Sequence, residues 1–179
     1  MMRARKQLPG FTLTELLVAI VILATLAGIS YPLLRKGLRE AQRSACLGNL
    51  RQIAIGLEAY LQDHGQRMPD LKVSRDDRSD NKPVLETVLS EYLTNPEVFH
   101  CPTDRVEFAK TGSSYGWNTI VSDRRLSRLE FFGIEETEEI PLVYDKENWH
   151  EGTGGRDNGT NILYADWTAS KEIEFSVDE

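Results

Sequence analysis

From Phe11 to Leu34 the chain holds 24 residues with a single charge, Glu15. As a helix this run is roughly 36 Å long, enough to match the ~20 apolar residues that cross a bilayer core. A helix that is apolar on every side has no solvent face. It must be covered by lipid or by other protein, and few architectures accept that.

A secretory signal peptide competes for this segment, because Arg3, Arg5 and Lys6 precede the apolar run. That account expects a small-residue cleavage site after the run, whereas Gly10 stands before it and Glu15 lies inside it. An ionised carboxylate within such a helix costs about 2.5–3.5 kcal/mol. Glu15 therefore needs either a positive partner or a place at the interface where it reaches water.

The stretch Gly10-Phe11-Thr12-Leu13-Thr14-Glu15, followed at once by the apolar helix, resembles the signature of type IV pilins and type II secretion pseudopilins. The resemblance implies that a prepilin peptidase cuts after Gly10, that the new amine at Phe11 is methylated, and that the helix serves first as membrane anchor and then as filament core. Glu15 would pair with the Phe11 amine of a neighbouring subunit. Pro32 falls where many members of the family carry a helix-kinking proline. The implied partners are the peptidase, other pilin or pseudopilin subunits, an inner-membrane assembly platform and membrane lipid. The implied placement is a single pass through a bacterial inner membrane, N-terminus cytoplasmic and head periplasmic, and later a pilus or pseudopilus.

Charge is divided along the chain. Residues 1–44 carry seven Lys/Arg and two Asp/Glu, net +5, so residues 45–179 must carry −12 to reach the total of −7. An acidic head disfavours nucleic acid as a partner. The basic residues after the apolar run, Arg35, Lys36, Arg39 and Arg43, outnumber those before it and by themselves favour a cytoplasmic C-terminal side. The more specific leader motif overrules them.

Apolar residues then recur at steps of three and four, Cys46, Leu50, Ile53, Leu57 and Tyr60/Leu61, one stripe over four turns. His64-Gly65 ahead of Pro69 marks a stop. The pattern predicts a helix from about Thr12 to about His64, with two helices broken at Pro32 or Gly37 as the alternative. The expected organisation is a leader over 1–10, a transmembrane helix over 11–34, its amphipathic continuation over 35–64 and a globular head over 65–179. Gln66–Lys82 reads as an exposed connection. Pro83 opens a short second helix bearing Val84, Leu85, Val88, Leu89, Tyr92 and Leu93, which ends at Asn95-Pro96. Short apolar runs follow at Ser113–Val121, Ile140–Tyr144, Asn161–Ala165 and Thr168–Phe175, a small antiparallel sheet. Arg124–Phe132 is compatible with a helix, and Glu135–Glu139 with an acidic solvated loop. The fold class is α+β: a long N-terminal helix packed on a small antiparallel sheet, with a short second helix.

Four elements in the head resemble those of pilin-like proteins common in planctomycete and verrucomicrobial bacteria. They are Cys46-Leu47-Gly48-Asn49-Leu50-Arg51-Gln52, Cys101-Pro102-Thr103-Asp104, Ser114-Tyr115-Gly116-Trp117-Asn118, and Asn161 to Asp166. The family's last element has a histidine upstream of an Asp-Gly turn; here Arg156 and Asp166-Trp167 stand at those places and His150 is out of register. Trp does not take positive φ as Gly does, so a longer or bulged turn is expected there.

Cys46 and Cys101 are either two buried thiols or a disulfide, and an extracytoplasmic compartment favours the bond. Closing a loop of 55 residues is worth roughly 4 kcal/mol. Asp145, Asp157, Asn158 and Asp166 are hard oxygen ligands that could hold calcium, although their spacing matches no known calcium loop, and the alternative is a glycine-rich loop with solvated charges. No triad, phosphate loop or His-Glu-x-x-His constellation is present, so no enzymatic role is read; calcium apart, no cofactor is expected, because neither cysteine belongs to a Cys-x-x-Cys that would point to zinc and the three scattered histidines support no metal centre. A second functional class remains open: a membrane-anchored, non-polymerising module that binds a polysaccharide, cation or secreted substrate through Trp117, Trp149 and Trp167.

Overall fold

Leu13–Asp63 forms one helix, α1, in the computed structural model, which describes residues 12–150, 152 and 156–173. Pro32 lies inside it. Proline removes one backbone hydrogen bond and crowds the carbonyl four residues back. That residue is Gly28, which has open space around it, and the helix continues. At the other end Gly65 takes φ 62° and Gln66 N–H donates to Leu61 O at 2.8 Å, a left-handed stop that satisfies a terminal carbonyl.

The chain divides into two compact units, residues 1–40 and 41–179. In the first, every described side chain is exposed, including Leu16, Leu17, Ile20, Val21, Ile22 and Leu23. This helix is long and apolar enough to cross a membrane. In the second, the stripe of Cys46, Leu50, Ile53, Leu57 and Leu61 is buried in one cluster with Tyr115, Trp117, Leu142, Val143 and Leu163.

The sheet is a four-stranded antiparallel array in chain order, β1 (Tyr115–Trp117), β2 (Pro141–Asp145), β3 (Ile162–Tyr164) and β4 (Ala169–Ser170). Between β1 and β2, Gly116 stands opposite Tyr144; between β2 and β3, Val143 stands opposite Leu163. β1 and β3 are buried at every residue rather than alternately, which is why short continuous apolar runs mark them. The second helix is α2 (Leu85–Val88), continued as a 3-10 turn to Glu91; Val84, Leu85 and Leu89 supply its buried side. A third helix, α3 (Glu107–Thr111), ends at Gly112 with φ 96°.

Three expectations change. Arg124–Phe132 holds only a 3-10 turn at Leu126–Arg128, because Arg125 and Leu129 on either side of it are extended, at ψ 139°, and Leu126 N–H donates to Gln66 O at 2.9 Å rather than within its own segment. Part of the Gln66–Lys82 connection is not exposed. Met68 and Leu71 are buried, and Met68 and Lys72 N–H groups donate to Arg124 and Pro83 carbonyls at 2.8 and 2.9 Å. Of Thr168–Phe175 only Ala169–Ser170 is strand; Ile173 N–H turns to Arg156 O at 2.9 Å, and residues from 174 on lie outside the described part. The β3–β4 connection is the longer, bulged turn. Tyr164 O accepts from Trp167 N, Tyr164 N donates to Thr168 O, and Trp167 takes φ 70°, the left-handed position of a three-residue hairpin loop.

Leu57 is fully buried and Ile55, two residues earlier, is 63% exposed. Leu57→Ala should therefore cost about 2–5 kcal/mol, and Ile55→Ala should stay within about 0.5 kcal/mol in the isolated subunit. Denaturant melts of both variants check it.

Candidate functional site

Two regions carry the candidate residues. In the first, Gly10 and Phe11 lie outside the described residues. Glu15 sits in the first turn of α1, not at its middle. Its Oε2 accepts from Thr12 N–H at 2.9 Å and from Thr12 Oγ1 at 2.8 Å, while Glu15 N–H donates back to Thr12 Oγ1 at 3.3 Å. This is a reciprocal capping box, and the positive end of the helix dipole favours the carboxylate. Part of the cost of Glu15 is thus met within its own chain. Pro32 is helical and exposed.

The second region is a polar network buried in the head, where all four sequence elements meet. Cys46 of α1 is bonded to Cys101, with their Cα atoms 5.0 Å apart. Asn49, one turn on, donates from Nδ2 to His100 O at 2.7 Å. Cys101 N–H donates to Ser114 Oγ at 2.9 Å, and Ser114 Oγ donates to Asp104 Oδ2 at 2.6 Å. Tyr115 Oη reaches Cys46 O at 3.4 Å. Asn118 Nδ2 donates to Pro141 O at 2.7 Å. Polar groups taken from water must be paired, so residues distant in the chain are tied together here.

Asp104 is the best-satisfied carboxylate among the described residues of this network. It accepts from Val106 and Glu107 N–H at 2.8 Å and from Phe108 N–H at 2.7 Å, besides Ser114. Burial works against its charge, but the Ser114 hydroxyl and the three amides outweigh it and hold the carboxyl below its ordinary value.

Around the sheet's far edge, Arg43 is buried on α1. Its Nη1 and Nη2 donate to both carboxylate oxygens of Asp157 at 2.9 and 2.6 Å, and its Nε donates to Asn161 Oδ1 at 3.0 Å. Asn161 N–H in turn donates to Asp145 Oδ2 at 2.8 Å. Burial pushes Asp145 up to about 7, against the pull of the Asn161 amide and the Arg43 guanidinium. His150 Nε2 lies 3.5 Å from Asp145 Oδ2 and 3.6 Å from Cys101 Sγ.

The calcium candidates are therefore divided. Asp145 and Asp157 join one network through Arg43 and Asn161. Asn158 is exposed and its Oδ1 accepts from Thr160 N–H at 3.0 Å; Asp166 accepts from Thr168 N–H and Oγ1 at 2.9 and 2.7 Å. Asp145 stands beside the start of β3 and Asp166 beyond its end, so the four do not surround one point. Both oxygens of Asp157 are already on a guanidinium. Of the three tryptophans, Trp117 is core, with Nε1 donating to Ser122 Oγ at 2.9 Å, while Trp149 and Trp167 are half-buried against the core.

Arg43 is the functional residue that sequence reasoning misplaced: it counted among the charges flanking the membrane segment, yet it is 4% exposed. Its distance of three residues from Cys46 on the buried face was the available signal. His150 was set aside for its register, and only the folded chain puts it against the disulfide.

In comparisons with known proteins, the family model for the prokaryotic N-terminal methylation motif matches residues 9–31. The type II secretion system core protein G of Dickeya chrysanthemi is 27% identical over 161 residues, covering 85% of this chain and 93% of that protein. No solved structure matches.

Two outcomes test the network. Arg43→Leu leaves the buried Asp157 carboxylate without its guanidinium and should cost about 3–5 kcal/mol, read by denaturant unfolding. The depressed value of Asp104 means that its contribution to stability is present above the unfolded carboxylate pKa of about 3.9 and is lost as pH falls through the lower folded value. Asp104→Asn should therefore be less stable than wild type at neutral pH and lose less on acidification below about pH 4, as thermal melts against pH will show.

Proposed function

We propose that this chain is a type IV pilin-like protein and a structural subunit of a type II secretion pseudopilus, cleaved by prepilin peptidase after Gly10 and assembled through the first half of α1; the methylation-motif match and the similarity to a core protein of a type II secretion system support it. The observation that carries this is the exposure of every described residue of that half, apolar all round, in a chain whose head is otherwise well packed. Apolar surface gains about 25 cal/mol for each Å² removed from water, so this surface requires a bilayer before assembly and neighbouring helices after it. The relative from Dickeya, a core protein of a type II secretion system that matches over most of both chains, favours the pseudopilus over a surface pilus. The anchor is set in the inner membrane with the head periplasmic, where the disulfide is stable.

Glu15 has two roles in this account. Within the subunit it caps α1 through Oε2. Between subunits the same carboxylate takes the Phe11 amine of a neighbour, which aligns the incoming helix in register. The two roles separate by substitution. Glu15→Gln keeps a side chain that can form the capping box but loses the charge, whereas Glu15→Val loses both.

Membrane insertion should survive in both variants, since a carboxylate is removed from an apolar segment, and mass spectrometry should find the N-methylated mature terminus at Phe11. Cross-linking yield between subunits, at equal membrane levels, should fall at least about ten-fold in both, the equivalent of about 1.4 kcal/mol. If Glu15→Gln assembles like wild type and only Glu15→Val fails, Glu15 acts as a helix cap alone. A mature terminus other than Phe11 would remove the processing step.

A further inference from the structure

The disulfide of the head has an imidazole against it. Cys46 Sγ, Cys101 Sγ and His150 Nε2 all lie within 4.8 Å of one another, and all three residues are buried. With Zn–S near 2.3 Å and Zn–N or Zn–O near 2.0–2.1 Å, a tetrahedral zinc ion places a sulfur and a nitrogen ligand about 3.6 Å apart and a nitrogen and an oxygen ligand about 3.3 Å apart. In this chain the Cys101 Sγ to His150 Nε2 distance is 3.6 Å and the His150 Nε2 to Asp145 Oδ2 distance is 3.5 Å. Two ligand-to-ligand edges of such a site are thus already set. The edge between the sulfurs is closed by the covalent bond.

The neighbouring carboxylate supplies a second, independent sign. Asp145 has no side-chain exposure, and its Oδ1 is a buried oxygen with no hydrogen-bond partner among the described residues. A buried carboxylate oxygen left without a donor costs free energy, and a cation beside it would remove that cost.

We propose that the reduced form of this chain binds one thiophilic divalent cation of the zinc class through Cys46, Cys101 and His150, with Asp145 completing the shell. Thiolate and imidazole ligands select such a cation over calcium or magnesium. The newly made chain, before oxidation, needs no reductant. In the oxidised chain a phosphine breaks the Cys46–Cys101 bond: it leaves as its oxide, water supplying the oxygen and the two thiol protons. Each thiol then releases its proton as its sulfur binds the cation, so one cation enters and two protons leave. His150 binds through the lone pair of Nε2, with its proton on Nδ1. The cation then clasps α1 to the segment at Cys101, as the disulfide does in the oxidised chain. Loading accompanies folding, since the site is closed to solvent once formed.

The experiment unfolds the full chain in denaturant, reduces it with a phosphine under anaerobic conditions, and refolds it into detergent micelles with increasing Co²⁺ as a spectroscopic stand-in for Zn²⁺. The expected result is one equivalent bound with sulfur-to-cobalt charge-transfer absorption and the intense visible bands of tetrahedral cobalt, all displaced by Zn²⁺. X-ray absorption of the wild-type zinc form should count two sulfur neighbours and at least one imidazole. Zn²⁺ should raise the Tm of the reduced protein and leave the oxidised protein unmoved. His150→Gln should weaken Co²⁺ binding at least about ten-fold. The proposal is overturned if the oxidised protein, or a Cys46→Ser/Cys101→Ser double variant, gives the same cobalt spectrum. A reduced wild type showing only octahedral, oxygen-coordinated cobalt overturns it equally, whether or not the variants fold.

Discussion

Everything in the head is arranged around one buried stripe on the second half of α1. Cys46, Leu50, Ile53, Leu57 and Leu61 have at most 1% of their surface exposed, and the sheet, α2 and the 66–73 segment all contribute to the cluster that covers them. Four fully buried aliphatic side chains at about 1.5–3 kcal/mol each, with the disulfide-bonded Cys46 beside them, make this stripe a major source of cohesion. Most of a protein helix's stability comes from packing of its apolar face rather than from intrinsic propensity. Here half of it is held by tertiary packing and half is apolar enough to need another environment.

Polar pairing gives that packing its register. A stripe of aliphatic side chains can slide by a turn at modest cost, whereas a disulfide, a bidentate Arg43–Asp157 pair and a carboxylate that accepts four hydrogen bonds cannot. A buried ion pair is weak evidence for stability. Its value here is positional: Arg43 and Cys46 lie one turn apart on α1 and reach different parts of the head, Asp157 and Cys101. Together they set both the rotation and the height of the helix against the sheet.

The two halves of α1 meet opposite demands. Residues 13–34 can satisfy their backbone internally, as any helix does, and so tolerate lipid. Residues 43–61 alternate buried and exposed positions as a soluble helix must. One continuous helix therefore joins a segment soluble in the bilayer to one that folds a domain, as the proposed passage from membrane to filament requires.

The amino-acid sequence by itself determined the elements whose signals are local. The bounds of α1, the apolar anchor, the prepilin signature, the presence of α2 and the approximate places of the four strands follow from periodicity, capping and run length, which act over a few residues. A turn longer than two residues at Asp166-Trp167 was expected, but its reason was not legible: Trp167 itself takes the left-handed φ of 70° that Trp was expected to avoid. Only the tertiary structure decided what depends on residues far apart in the chain. It chose the bond between Cys46 and Cys101 over two thiols, turned Arg43 from a membrane-flanking charge into the buried partner of Asp157, and set His150 beside the disulfide. The physical reason is that burial and pairing of a charged or polar side chain are settled by what lies across the core, 118 residues away for Arg43 and Asn161, and no local pattern encodes that distance.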